Sequence, residues 1–348
     1  MFEINAKKIG VDHPPFIIAE MSGNHNQSLD MALAIVEAAA KAGVHAVKLQ
    51  TYTADTITID CDSGAFYIDD PDSLWKGKSL YKLYQQAYTP WEWHEPIFNR
   101  CRELGLIAFS TPFDETAVDF LEDMNVPAYK IASFENNHIP LIRKTAATGK
   151  PLIISTGMAS IAEIDEAVNA ARESGCKDMA LLKCTSTYPA EPIDTNLRTI
   201  PHLRQLFDVE VGLSDHTLGI GVSTASVALG ATVIEKHFTL SRADGGIDSA
   251  FSLEPDEMKL LVEETFNAWQ AIGKIYYGAT RKEEASIVYR RSIYVVSDVR
   301  KGDEFNTKNI LVIRPGDGLA PKYYDVILGR RAVCDIKRGT PMDWKYFG

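Results

Sequence analysis

The sequence predicts an α/β protein: a (β/α)8 TIM barrel followed by a small β-rich domain. Three observations predict it. Short apolar runs alternate eight times with longer amphipathic segments, the pattern of a parallel sheet wrapped in helices. Polar residues gather at the C-terminal end of each run, where barrels of this type keep their reactive groups. Beyond residue 290 the rhythm changes to short apolar runs broken by KG, PG and RG turns.

The expected strands are 16–21, 46–51, 106–112, 128–133, 151–157, 179–186, 209–216 and 232–239. Helical patterns follow, for example at 29–42, 115–124, 161–174 and 255–272. Ser28 reads as an N-cap and Gly43 as the matching stop. No glycine-rich phosphate fingerprint follows the first strand, which disfavours an open dinucleotide-binding sheet. Residues 52–90 carry Tyr67, Trp75, Tyr81 and Tyr84 and reach no clear helix. A connection that long is often a lid or a binding wall; the alternative is a packed surface excursion. Residues 276–289 are polar and read as an exposed linker. The expected division is therefore a barrel at 1–275, a linker at 276–289 and a small domain at 290–348. The last piece is short for an independent core.

The chain has 348 residues and a net charge of −11, which disfavours nucleic acid as the main partner. Residues 281–348 carry 14 basic against 9 acidic residues, leaving −16 for the rest. A basic module beside an acidic body is suited to dock on it, in the same chain or in a partner. Surface drift between two domains is the alternative. The start MFEINAKKIG has no apolar stretch of signal-peptide length, and no run of about 18 apolar residues follows. A soluble, cytoplasmic protein without membrane contact is expected. The five cysteines are scattered without a CxxC pair, so neither a disulfide framework nor a thiolate zinc site is expected.

Charged residues inside β-runs are costly to bury unless paired. Lys48 in AVKLQ, Lys130 in AYKIAS and Lys236 in IEKHF are informative for that reason. Two or three such lysines converging with several Ser/Thr hydroxyls at the strand ends would make an anion site suited to phosphate plus carboxylate. Outward lysines, or lysines paired with structural carboxylates, are the alternative. His216 and His237 end adjacent strands at matched depth. Two neutral imidazoles plus water or substrate oxygens would hold a divalent ion such as Mn²⁺, Mg²⁺ or Co²⁺. The lack of a third nearby His or Cys disfavours structural zinc. Glu20 is a candidate base or hydroxyl ligand, or else an ion-pair partner for a lysine.

The segments AEMSGNHNQSLD, AVKLQT, STPFD, YKIAS, ISTGM, CTSTYP, GLSDHT, EKHFTL, RRSIYV and RPGDG occur in that order along the chain. Together they resemble the sialic acid synthase family over essentially its whole length. The resemblance implies a TIM barrel with a C-terminal antifreeze-like (SAF) domain. It implies condensation of phosphoenolpyruvate with an N-acetylated sugar aldehyde and water, releasing phosphate. It also implies a homodimer in which one chain's small domain caps the partner's barrel.

Residue by residue, the resemblance implies that Lys48, Thr111, Lys130, Ser133, Ser155 and Ser214 hold phosphoenolpyruvate. His216 and His237 would hold the metal and act in catalysis with Glu20. Glu20, Tyr188 and Asp248 would face the sugar, and Arg314 would reach its acyl group across the dimer. Gln27 and Ser186 depart from the commonest sialic acid pattern, which has Gly and Asn there. The wording AEMSGNHNQ and RPGDGLAPK most resembles the branch that takes 2,4-diacetamido-2,4,6-trideoxy-altrose. N-acetylneuraminic or legionaminic acid synthesis is the alternative. A synthase using a phosphorylated sugar, or a glycan-binding protein with a dead barrel, is more remote.

Overall fold

The computed structural model describes residues 1–71 and 73–348. The chain divides into two compact units, Met1–Gly273 and Lys274–Gly348.

The first unit opens with an antiparallel hairpin of β1 (Phe2–Ile4) and β2 (Lys7–Ile9). Asn5 and Ala6 turn it with left-handed φ of 46° and 63°, the geometry that suits a two-residue hairpin turn. Phe2, Ile4 and Ile9 are buried with the barrel core. The reading of the sequence had not marked this hairpin.

Eight strands follow: β3 (Phe16–Glu20), β4 (Ala46–Thr51), β5 (Ile107–Pro112), β6 (Tyr129–Ile131), β7 (Leu152–Ser155), β8 (Met179–Cys184), β9 (Glu210–Asp215) and β10 (Val233–His237). They close in sequence order, with β10 pairing β3, and every pairing is parallel. The strands are buried almost throughout because each has the barrel interior on one face and helices on the other. That is why they read as continuous apolar runs. The register sets Glu20 level with Lys48 on one side and His237 on the other. Functional side chains from neighbouring strands thus share a layer.

The helices form where the caps predict them. The Ser28 hydroxyl accepts from the Met31 N–H at 3.3 Å, and the helix Leu29–Ala42 ends at Gly43, φ 84°. Ser160 and Glu163 form a capping box on Ile161–Glu173. Helices His94–Glu103, Glu115–Asp123, Ile139–Ala147, Thr199–Phe207, Gly221–Ala228 and Pro255–Ile272 complete the ring. The excursion at 52–90 is built rather than formless. It holds a short helix Ala54–Ile57, a 3₁₀ turn Gly64–Phe66 and a helix Leu80–Ala87.

In the second unit β11 (Ser292–Val295) pairs antiparallel with β12 (Ile310–Ile313). Its own core gathers Ile293, Val295, Phe305, Ile310, Ile327 and Met342. The segment read as a linker ends in a 3₁₀ helix Glu284–Tyr289, and the Gly316 N–H donates to Val288 O at 2.8 Å. Its last residues are tied to the small domain. Among the described residues, no helix is long and apolar enough to cross a membrane.

Candidate active site

One cavity at the C-terminal mouth of the barrel is lined by ten of the residues singled out from the sequence. They are Glu20, Lys48, Thr111, Lys130, Ser133, Ser155, Tyr188, Ser214, His216 and His237. Gln50, Ala132, Phe134, Cys184 and Glu235 complete the lining. They arrive together because side chains alternate along each strand and the register aligns the strand ends.

The basic pole is Lys48 and Lys130. Lys48 Nζ donates to Thr111 Oγ1 at 3.1 Å and is ion-paired with Glu20. Lys130 Nζ donates to Ser155 Oγ at 2.7 Å and lies 3.4 Å from Glu235 Oε1. Glu235 also stands 3.9 Å from Lys48 and accepts from the Ser214 hydroxyl at 3.1 Å. Its ring of partners explains why it stays ionised. Burial alone would push its carboxyl up, but Lys130 and Lys48 outweigh burial and hold it below the usual range. Glu20 goes the other way. Burial, aided by Glu235, raises its carboxyl despite Lys48. Glu20 is therefore the carboxyl readier to carry a proton.

The sequence reading gives Glu235 no role and groups Lys236 with the anion-binding lysines. The structure corrects that grouping. Glu235 and His237 face the cavity, so the period of two turns Lys236 outward. It donates to Asp215 at 2.8 Å and to the Thr217 carbonyl, fully buried. Asp215 also accepts from Ser223 at 2.6 Å and from the Thr217 N–H at 2.9 Å. This is a structural pair at the foot of the following loop.

Opposite the lysines lie His216 and His237, ring centroids 5.3 Å apart. His216 Nδ1 donates to the Thr185 carbonyl at 2.8 Å, so in the neutral ring Nε2 carries the lone pair. Burial disfavours the protonated ring, but Cys184 and that carbonyl favour it and raise its pKa. His237 Nδ1 is buried without a hydrogen-bond partner, 3.8 Å from Asp248 Oδ2. Burial and the neighbouring His216 hold His237 neutral. Cys184 Sγ lies 3.9 Å from His216 Nδ1. Burial opposes ionisation of that thiol, but a protonated His216 ring brings it down to about 6, each group favouring the ionised form of the other. With both rings neutral, His216 Nε2 and a nitrogen of His237 would offer lone pairs to a divalent ion that takes its other ligands from water or substrate. No group of three protein ligands is arranged for a metal among the described residues.

An aromatic wall runs out from the histidines. Tyr188 lies 4.5 Å from His216 and 5.1 Å from Phe251, and Trp75 lies 5.8 Å from Tyr188, centroid to centroid. Trp75 belongs to the 52–90 excursion, which thus touches the wall at Tyr188, although none of its described residues lines the cavity. Trp75 Nε1 donates to Ile247 O at 3.3 Å, in the loop that carries Asp248.

The segment 22–27, SGNHNQ, holds both loops. Asn24 is buried, donates to Phe238 O at 3.0 Å and Ser252 Oγ at 2.9 Å, and accepts from the Asp248 N–H. Ser22 donates to the Asp248 carboxylate. Gln27 Nε2 donates to Gln86 O and Tyr88 O, so Gln27 holds the excursion. Ser186 packs over Gly157, where a Cβ would sit 2.1 Å from its hydroxyl. Asp248 is thus beside the histidines rather than in the cavity lining. Arg314 stands in the second unit, exposed.

Residues 35–277 match the NeuB family. The chain belongs to that family. Residues 290–347 match the SAF domain, which accounts for the second unit. This NeuB-family chain is 44% identical over 331 residues to a pseudaminic acid synthase of Campylobacter jejuni, covering 95% of this chain and 96% of that one. An N,N'-diacetyllegionaminic acid synthase of the same species is 35% identical over 325 residues, covering 92% and 96%. Among solved structures, a spore coat polysaccharide biosynthesis protein of Bacillus subtilis superposes with a TM-score of 0.68 at 37% identity, covering 100% and 99%.

Proposed function

We propose that this chain is a pseudaminic acid synthase, a transferase that joins phosphoenolpyruvate to 2,4-diacetamido-2,4,6-trideoxy-altrose and water. The products are pseudaminic acid and phosphate. The observation that carries the reading is one cavity with two poles. Buried lysines and hydroxyls on one side suit the phosphate and carboxylate of phosphoenolpyruvate. A histidine pair and an aromatic wall on the other suit a sugar aldehyde. The greater likeness to the pseudaminic than to the legionaminic synthase of one species supports the choice of sugar.

Lys48 and Lys130, with Thr111, Ser133, Ser155 and Ser214, would hold phosphoenolpyruvate so that its C3 faces the aldehyde carbon. Placement of this kind supplies much of a rate enhancement. C3 attacks the aldehyde carbon, water adds at C2, and phosphate leaves with its bridging oxygen. Glu20, whose carboxyl burial has raised, is placed to carry the proton that the water loses or the aldehyde oxygen gains. Tyr188 and Asp248 would orient the sugar. His216 and His237 would hold Mn²⁺, Mg²⁺ or Co²⁺, which supplies Lewis-acid polarisation of the aldehyde when bound. The working form in this reading is a cytoplasmic homodimer with exchanged small domains, in which Arg314 of one chain meets the sugar's acyl group in the other.

The test is mass spectrometry of products after incubation with phosphoenolpyruvate, Mn²⁺ and three sugars in parallel. These are the altrose derivative, its legionaminic-precursor isomer and N-acetylmannosamine. Pseudaminic acid as the main product is expected. A faster yield of legionaminic or N-acetylneuraminic acid would overturn the choice of sugar.

A further inference from the structure

We propose that Gln27 is a positioning residue that holds the aromatic wall of the sugar site in place; this rests on the reading that the sugar binds beside Tyr188. Gln27 is exposed and does not line the cavity, yet its amide makes two directed bonds. Nε2 donates to Tyr88 O at 2.7 Å and to Gln86 O at 3.1 Å. Both carbonyls lie at the C-terminal end of the helix Leu80–Ala87, where the helix dipole makes carbonyls good acceptors. The residue holds a left-handed φ of 55° to do so, a conformation that favours glycine. Its own N–H donates to His25 Nδ1 at 3.2 Å, which places the ring proton on Nε2 toward Thr89 Oγ1, 3.2 Å away. The neighbouring Gly23 lies so close to Ala87 that a Cβ would sit 3.1 Å from its Cα.

The clamp reaches Trp75 because the excursion is bonded within itself. Ile68 N–H donates to Lys78 O at 3.0 Å, and Gly77 N–H returns to Ile68 O at 2.8 Å. Ser79 caps the helix that Gln27 grips. Trp75, between these bonds, rests 5.8 Å from Tyr188 and donates to Ile247 O. Gln27 therefore holds one end of an internally bonded piece whose Trp75 touches the wall. The phosphoenolpyruvate pole draws on none of these bonds.

Three full-length variants test this, each loaded with Mn²⁺: Gln27→Gly, Gln27→Glu and Gln27→Lys. Glycine relieves the left-handed strain and loses the amide. Glutamate keeps the length but cannot donate to carbonyls when ionised. Lysine restores a donor. Gln27→Gly and Gln27→Glu are expected to raise the sugar KM about tenfold, the worth of one or two hydrogen bonds. The phosphoenolpyruvate KM and the melting temperature should hold. Gln27→Lys should recover much of the sugar KM. Hydrogen exchange over residues 73–88 should be faster in the Gly and Glu variants than in the wild type and the Lys variant. An unchanged exchange rate in that segment would overturn the positioning role, whatever the sugar proves to be. An unchanged sugar KM with the altrose derivative, in an enzyme that turns it over, would do the same. A wild type that fails to use that sugar instead overturns the choice of substrate, and the exchange result then stands alone.

Discussion

Lys130 Nζ lies 3.4 Å from Glu235 Oε1, and neither side chain is more than 7% exposed. A buried charge deprived of its partner is far more costly than the pair itself, by about 3–5 kcal/mol. Lys130→Met should lower stability by an amount of that order and abolish phosphate release. Adding Glu235→Gln should recover most of the stability and none of the activity. Calorimetry of the two singles and the double, beside a phosphate-release assay, checks both halves. Strict additivity of the two stability losses would show that the residues do not interact.

His216→Ala removes one of two imidazole rings whose centroids lie 5.3 Å apart. Phosphate release should fall to background at every Mn²⁺, Mg²⁺ or Co²⁺ concentration, while phosphoenolpyruvate still binds by calorimetric titration. Near-normal turnover would remove the histidine pair from the mechanism.

Glu135 follows β6, and burial pushes its carboxyl up to about 7 against the pull of Lys130. One of its oxygens is buried without a hydrogen-bond partner. A carboxyl raised in the folded state binds its proton more tightly there than in the unfolded chain. Its cost to stability is therefore absent below about pH 4.5, grows between pH 4.5 and about 7, and is constant above that. Glu135→Gln should stabilise the protein by roughly 2–3 kcal/mol at pH 8 and by little at pH 4.5. Melting curves at the two pH values decide it; an equal effect at both would mean that ionisation is not the cause.

Arg314→Ala tests the exchanged dimer. The sugar KM should rise at least tenfold, as for loss of a charged hydrogen bond of about 1.5–3 kcal/mol. The phosphoenolpyruvate KM should stay, and sedimentation should still show a dimer. No change in the sugar KM would mean that the small domain does not complete the partner's site.

The barrel was legible because a parallel sheet covered on both faces leaves eight apolar runs in the sequence, and each ends at the mouth. Most of the lining followed from that rule alone. Lys236 shows where the rule stops. One residue from Glu235 and one from His237, it has the same chemistry as Lys48 but the opposite face, and Asp215 is already there to receive it. Counting in twos from His237 would have separated them. Cys184 was harder to place. It looks like an ordinary buried thiol in LLKC until the fold sets it 3.9 Å from His216. Likewise, the Trp75 contact with Tyr188 joins residues 113 positions apart, and only the folded excursion brings them together. The hairpin at the start had one usable sign, Asn5 between two short alternating runs.

Two lysines and two carboxylates share the cavity, so its formal charges cancel before any substrate enters. In the proposed reading phosphoenolpyruvate would enter as in an ion exchanger, taking over cations that Glu20 and Glu235 already hold. Glu20, once it yields Lys48 to an anion, has every electrostatic reason to take a proton from the medium. Substrate binding should then consume protons, and the heat measured on titration should vary with the ionisation enthalpy of the buffer. A site lined with lysines alone would bind the same anion without that uptake.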